Sequence, residues 1–155
     1  MNAEDFAAWA GPHVTAMARL AARLAPGADR DDIVQESLVR AWIKRRQYDA
    51  ARGAPSAWLL AITADQARKA AAKVRRLAPA VDDVAVTGRG PDDDLDLRTA
   101  LDQLTERQRL AVDCVYFAGL TVAETAAVMR CAEGTVKSTL ADARTKLRTY
   151  LEVVG

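Results

Sequence analysis

The chain has 155 residues, half of them apolar and 28% charged, with a formal net charge of +1. That is enough for one ordinary domain or two small ones with a buried core. No apolar stretch approaches a membrane span, and MNAEDFAAWAG lacks a basic region followed by a long apolar one, so the composition excludes membrane insertion and leaves a soluble cytoplasmic protein as the expectation.

Alanine is abundant, aromatic residues are few, and no Val/Ile/Thr-rich run alternates at period two, so the chain is expected to be all-α. A short helix carries Phe6 and Trp9 and breaks at Gly11-Pro12. A second, from about Pro12, has Val14, Met17, Leu20 and Leu24 on one stripe and stops near Pro26-Gly27. His13 stands at its start with no nucleophile to serve. A third runs from about Asp29 to Arg46, with Asp29 or Asp31 as cap and Ile33, Val34, Leu38, Ala41 and Trp42 as its apolar stripe. After the loop QYDAARGAPS, a fourth from about Pro55 to Leu77 carries Trp58, Leu59 and Ile62 early and cations late.

Charge divides the chain. Residues 1–76 hold 13 Lys/Arg against 8 Asp/Glu, residues 77–97 hold 1 against 6, and residues 98–155 hold 8 against 7. The acidic segment LAPAVDDVAVTGRGPDDDLDL has no helical stripe and reads as an extended linker, which sets the units at 1–77, 78–96 and 97–155. In the last unit, Leu97, Ala100, Leu101 and Leu104 line one helix. Thr105 with Gln108 opens another that carries Ala111, Cys114, Val115 and Phe117 and stops at Gly119. Cys114 and Cys131 sit at apolar helical positions without ligand-spaced neighbours, so packing is expected for both, and no metal or other cofactor.

TVAETAAVMRCAEGTVKSTLADARTKLR, residues 121–148, is the most informative stretch. Thr121 and Glu124 make a capping box for a short helix. In the next helix Val136, Leu140, Ala143 and Leu147 form a buried seam, leaving Thr135, Lys137, Ser138, Arg144 and Lys146 outside it. An apolar back and a polar, mostly cationic front suit a DNA-reading helix-turn-helix, although a plain helical bundle shows the same seam. Glu133 favours the helix dipole but repels phosphate; it either faces a base edge or points away.

Two further patterns admit both a plain and a functional reading. Asp32, Gln35 and Glu36 share a face of the third helix, as a solvated surface or as a docking patch for a partner helix bearing arginines. Lys69, Lys73 and Arg76 form a stripe flanked by Arg68 and Arg75, with no acid between Gln66 and Ala80, which suits phosphate more than a mixed solvated face. Tyr48, Arg52, Ser56 and Trp58 precede it, an arrangement fit for single-stranded nucleic acid, although Trp58 taken alone suits the core better than a stacking platform.

DDIVQESLVRAWIKRRQYDAARGAPSAWLLAI and LTERQRLAVDCVYFAGLTVAETAAVMRCAEGTVKSTLADARTKLR together resemble the second and fourth domains of the extracytoplasmic-function sigma factors of bacterial RNA polymerase. The resemblance covers nearly the whole chain and implies two small helical domains joined by the acidic strap. It implies that Asp32, Gln35, Glu36, Leu38 and Trp42 dock on core RNA polymerase. Tyr48, Arg52, Ser56, Trp58, Asp65, Arg68, Lys69, Lys73 and Arg76 would meet promoter DNA at the minus-ten element. Glu133, Thr135, Lys137, Ser138 and Arg144 would meet the minus-thirty-five element. An anti-sigma factor is the further implied partner, and no catalysis is implied. Thr63, Ala64 and Asp65 replace a usual A-R-N triplet and Lys69 a usual Asp; Arg130 stands where Gly is usual, Thr139 where Arg is common, and Thr125 for a usual Ile. If Arg130 needs a positive φ, it costs about 1 kcal/mol. The weakened minus-ten face motivates an alternative, a sigma-like decoy that sequesters an anti-sigma factor. A free-standing helix-turn-helix regulator is a further rival. An enzyme would need a convergent acid/base or nucleophile constellation, which the sequence lacks.

Overall fold

Capping chemistry sets where the helices begin. The computed structural model describes the backbone of residues 1–78 and 92–154 and the side chains of residues 1–78 and 96–153; every regular element among them is helical, as the sequence predicts. The helices are α1 (Ala3–Ala10), α2 (Val14–Leu24), α3 (Arg30–Ile43), α4 (Pro55–Leu77), α5 (Asp92–Leu101), α6 (Glu106–Val112), α7 (Val122–Met129) and α8 (Glu133–Val154). Asn2 caps α1 and Asp29 caps α3, its carboxylate accepting from the amides of Asp31 and Asp32. Pro55 occupies the first turn of α4, where a missing N–H costs nothing. Both capping boxes form, Thr105 with Gln108 on α6 and Thr121 with Glu124 on α7.

Several boundaries and faces differ from the sequence reading. α3 ends at Ile43, not Arg46, because Arg45 turns back, donates to the Trp42 carbonyl at 2.8 Å and stacks over the Trp42 ring. α5 starts at Asp92, inside the segment read as linker. Most of that linker, residues 79–91, lies outside the described residues. Leu97 is 39% exposed and is not part of the buried core. α6 runs into a π-helical turn, Asp113–Phe117, whose extra residue rotates the face and turns Phe117 outward beneath the Arg23 guanidinium. Gly119, at φ 75°, lets the chain reverse into α7. Cys131 lies in the turn before α8, not on a helix.

α2 and α3 pack on α4. Met17 and Leu20 of the predicted α2 stripe are fully buried, as are Leu59 and Leu60 of α4. Small residues at Ala21, Ala25 and Ala67 let these helices approach closely beside Ile33. In the second unit, Val136, Leu140 and Ala143 of α8 close over Ala111, Val112, Ala126 and Met129, so the predicted seam is the buried one.

A single apolar cluster also joins the two halves. It links Phe6, Met17, Leu20, Leu59, Leu60 and Ala64 to Cys114, Ala118, Leu120 and Val128. α4 and α7 form its most extensive helix pairing. One turn before Val128, the Thr125 hydroxyl is fully buried and has no hydrogen-bond partner. A lone buried hydroxyl costs stability that an isosteric methyl does not. Thr125→Val is therefore expected to raise the free energy of unfolding by about 1 kcal/mol, measured by urea denaturation; a destabilised variant would show that the hydroxyl is satisfied.

Candidate nucleic-acid and partner interfaces

Three surfaces gather the residues singled out by sequence. The first is the outer face of α3. Asp32, Gln35 and Glu36 are all exposed there, and Glu36 pairs with Arg40 at 3.0 Å along the helix. Leu38 and Trp42, expected beside them, turn inward and pack on the core, where Trp42 meets Phe6 edge-on. Their places on the surface are taken by Val39, 50% exposed, and Ile43, 68% exposed. Gln35, Val39 and Ile43 are each four residues apart and share one face, a signal the sequence contained but which the inward stripe masked. The resulting face has carboxylates and an amide at one end and bare aliphatic side chains at the other.

The second surface is the loop before α4 with α4 itself. Tyr48, Trp9 and Trp58 stack in a three-ring cluster with centroids 5.2–5.9 Å apart. The Tyr48 hydroxyl donates to the Gly53 carbonyl at 2.9 Å and closes the loop. Tyr48, Gly53 and Trp58, with Arg52 and Ala57, line a pocket of about 250 Å³, one wall of which is Ala127 of α7. Arg52 is exposed and Ser56 half-buried. Trp58 is thus both a core neighbour and a pocket wall.

Along α4 the cations separate. Lys69 and Lys73 line a groove that also holds Asp29, Asp32 and Glu36, so acids from α3 face a stripe that is unrelieved in the sequence. Arg76 is exposed. Arg68 and Asp65 instead meet the second unit. Asp65 Oδ1 lies 2.9 Å from Arg68, and Asp65 Oδ2 lies 2.7 Å from Arg130 of the α7–α8 turn. Arg130 has φ 57° and ψ 49°, the left-handed conformation conditionally expected from the sequence, at a cost of about 1 kcal/mol.

The third surface is the start of α8. Thr135, Lys137, Ser138 and Arg144 are all exposed beside the buried seam. Ser138 donates to the Thr135 carbonyl at 3.1 Å, and Arg144 donates to the Tyr116 hydroxyl at 2.8 Å. Tyr116 was not singled out in the sequence; the π turn of α6 is what presents it. Glu133 borders a cleft of about 790 Å³ between the units, opposite Arg52 and Ser56.

Between these surfaces Asp113, only 8% exposed, receives Arg23 of α2 at 2.8 Å and Arg109 at 3.4 Å. Its neighbour Cys114 is fully buried; burial pushes the thiol up to about 12, the Asp113 carboxylate adds to the rise and the Arg68 guanidinium opposes it.

Two family models match the chain: Sigma-70 region 2 over residues 5–77 and Sigma-70, region 4 over residues 94–147. The ECF RNA polymerase sigma factor SigK of Mycobacterium ulcerans (strain Agy99) is 32% identical over 137 residues, 79% of this chain and 72% of SigK. The ECF RNA polymerase sigma factor EcfG of Rhodopseudomonas palustris (strain TIE-1) is 34% identical over 150 residues, 92% of this chain and 82% of EcfG. Among solved structures, the sigma factor RpoE in complex with the anti-sigma factor NepR from Bartonella quintana matches with TM-score 0.63 and 29% identity, covering 97% of this chain and 98% of RpoE. CnrH in complex with the cytosolic domain of CnrY matches with TM-score 0.68 and 25% identity, covering 99% of this chain and 92% of CnrH.

The Cys114 environment gives a pH signature. The folded thiol titrates above its ordinary 9.0, so burying it neutral stabilises the fold fully below pH 9.0, and that contribution is lost as pH climbs toward 12. Across this window the wild type is expected to lose up to about 1.4 kcal/mol per pH unit more than Cys114→Ala. Denaturation curves at several pH values measure the difference; parallel pH profiles would contradict it.

Proposed function

This chain belongs to the extracytoplasmic-function RNA polymerase sigma factors, and we propose on that basis that it binds core RNA polymerase in the cytoplasm and directs it to promoters through the three surfaces described above. The α3 face is the docking patch, with Asp32, Gln35 and Glu36 as its polar half and Val39 and Ile43 as its apolar half. Charged and amide groups beside exposed aliphatics suit a partner helix carrying arginines between apolar side chains. The exposed pairing of these two halves on one helix face is the observation that carries this part of the reading.

The loop pocket receives an unstacked base of the minus-ten element. Tyr48 and Trp58 supply ring faces and edges, and Arg52 supplies a cation for the backbone. Lys69, Lys73 and Arg76 follow the phosphates upstream. The α8 surface enters the major groove at the minus-thirty-five element, where Thr135, Ser138 and Lys137 sit at the helix N-terminus and Arg144 reaches the backbone about two turns later. The chain supplies binding energy that offsets strand opening, and the polymerase performs the chemistry. An anti-sigma factor is a fitting further partner, because the anti-sigma factor NepR is bound in one of the two matching structures.

Transcription by core polymerase with this chain, read by sequencing the RNA made on genomic templates, tests the whole reading. Promoter-specific transcripts are expected. Their absence, together with tight anti-sigma binding, would instead favour a decoy. Asp65 on the minus-ten face is the observation that keeps this second reading open.

Two variants test the surfaces singly. Asp32→Arg combined with Gln35→Ala is expected to abolish retention on core polymerase in a pull-down; full retention would remove α3 as the dock. Lys137→Ala is expected to weaken promoter binding by the holoenzyme about equally across sequences and to reduce the salt slope by about 1. A loss confined to one base pair would mean that Lys137 reads sequence.

A further inference from the structure

Two oddities of this chain meet in space. Asp65 is the one acid on α4, a helix whose later residues are otherwise cationic. Arg130 is the one non-glycine residue with positive φ among the described residues. Left-handed backbone disfavours any residue with a Cβ, so a side chain retained there needs a reason. The Arg130 guanidinium reaches 65 positions back along the chain and lies 2.7 Å from Asp65. Arg68 takes the other carboxylate oxygen at 2.9 Å, and its second nitrogen donates to the Val128 carbonyl in the last turn of α7 at 3.2 Å. That carbonyl is one that a helix end leaves without an intrahelical partner.

We propose that Asp65, Arg68 and Arg130 form an ionic clasp that holds the two DNA-reading units closed on each other in the free chain. The inference rests on the reading of α4 and the Tyr48 loop as the minus-ten surface, and explains why an acid is present there. In the clasped state Asp65 occupies two guanidiniums that would otherwise meet phosphate. Ala127, brought in by the same α4–α7 contact, walls the pocket beside Tyr48 and Trp58. Promoter phosphates and Asp65 compete for the same cations, so the units part before Arg68 and Arg130 can serve DNA.

The expected size is modest. Arg130 is 72% exposed at its side chain and Asp65 37%, so solvent screens the pair and the clasp shifts the open population by about threefold, not by orders of magnitude. Cys114 provides the reporter. It is fully buried in the cluster shared by both units, so its reaction with a thiol reagent requires them to separate.

The test uses the full chain without DNA, on a Cys131→Ser background. Arg130→Gly removes the guanidinium while suiting the left-handed backbone, so loss of folding does not confound it. Arg130→Gly and Asp65→Asn are each expected to speed Cys114 labelling about threefold at low salt, with no fall in thermal unfolding midpoint large enough to account for it. The effect should shrink as salt screens the pair. The double variant should label no faster than Asp65→Asn, since that change already removes the partner of Arg130. Unchanged labelling in the single variants, or additive acceleration in the double, overturns the clasp. Because no DNA or polymerase enters, failure of the transcription test and failure of the clasp are separate results.

Discussion

The packing of α7 on α4 is the constraint from which the rest of the structure follows. It places Leu120 and Val128 of one unit in the same apolar cluster as Leu59 and Leu60 of the other. Fully burying side chains of this size contributes about 1.5–3 kcal/mol each, whereas exposed ion pairs contribute about 0–1 kcal/mol. The apolar contact therefore decides that the units associate. The charges around it, Asp65 with Arg68 and Arg130 on one side and Asp113 with Arg23 and Arg109 on the other, adjust how tightly and in what register.

That association has a functional cost. A sigma factor must present two promoter-reading surfaces to elements separated along DNA, yet here the α7–α8 turn sits against α4 through the Arg130–Asp65 pair. The α3 face lies outside the contact, with Asp32, Gln35, Glu36, Val39 and Ile43 all exposed. A partner can thus dock on α3 before the units separate, and its binding energy can drive the separation.

Much of the fold was legible because its signals are local. Capping boxes at Thr105 and Thr121, the proline at the start of α4 and the seam Val136–Leu140–Ala143 each depend on residues within a few positions. The errors arise where the determining contact is distant or the period changes. Phe117 and Tyr116 turned outward because a π turn interrupts the 3.6-residue repeat. Leu38 and Trp42 are half-buried against the core, and Val39 and Ile43 stand exposed on the other side of α3. A stripe of apolar residues on a helix says which face is buried, and therefore hides aliphatic residues on the other face. Asp65 and Arg130 looked like separate flaws in the sequence; their pairing spans 65 residues and no local pattern encodes it.

The most direct test of the account is the distance between the units, free and bound. Spin labels at exposed Ala8 and Thr149, on a Cys131→Ser background, report it by pulsed dipolar spectroscopy. The account predicts one short, narrow distance in the free chain and a longer one when core RNA polymerase is added. An identical short distance in the polymerase complex, or a broad distribution in the free chain, would contradict it.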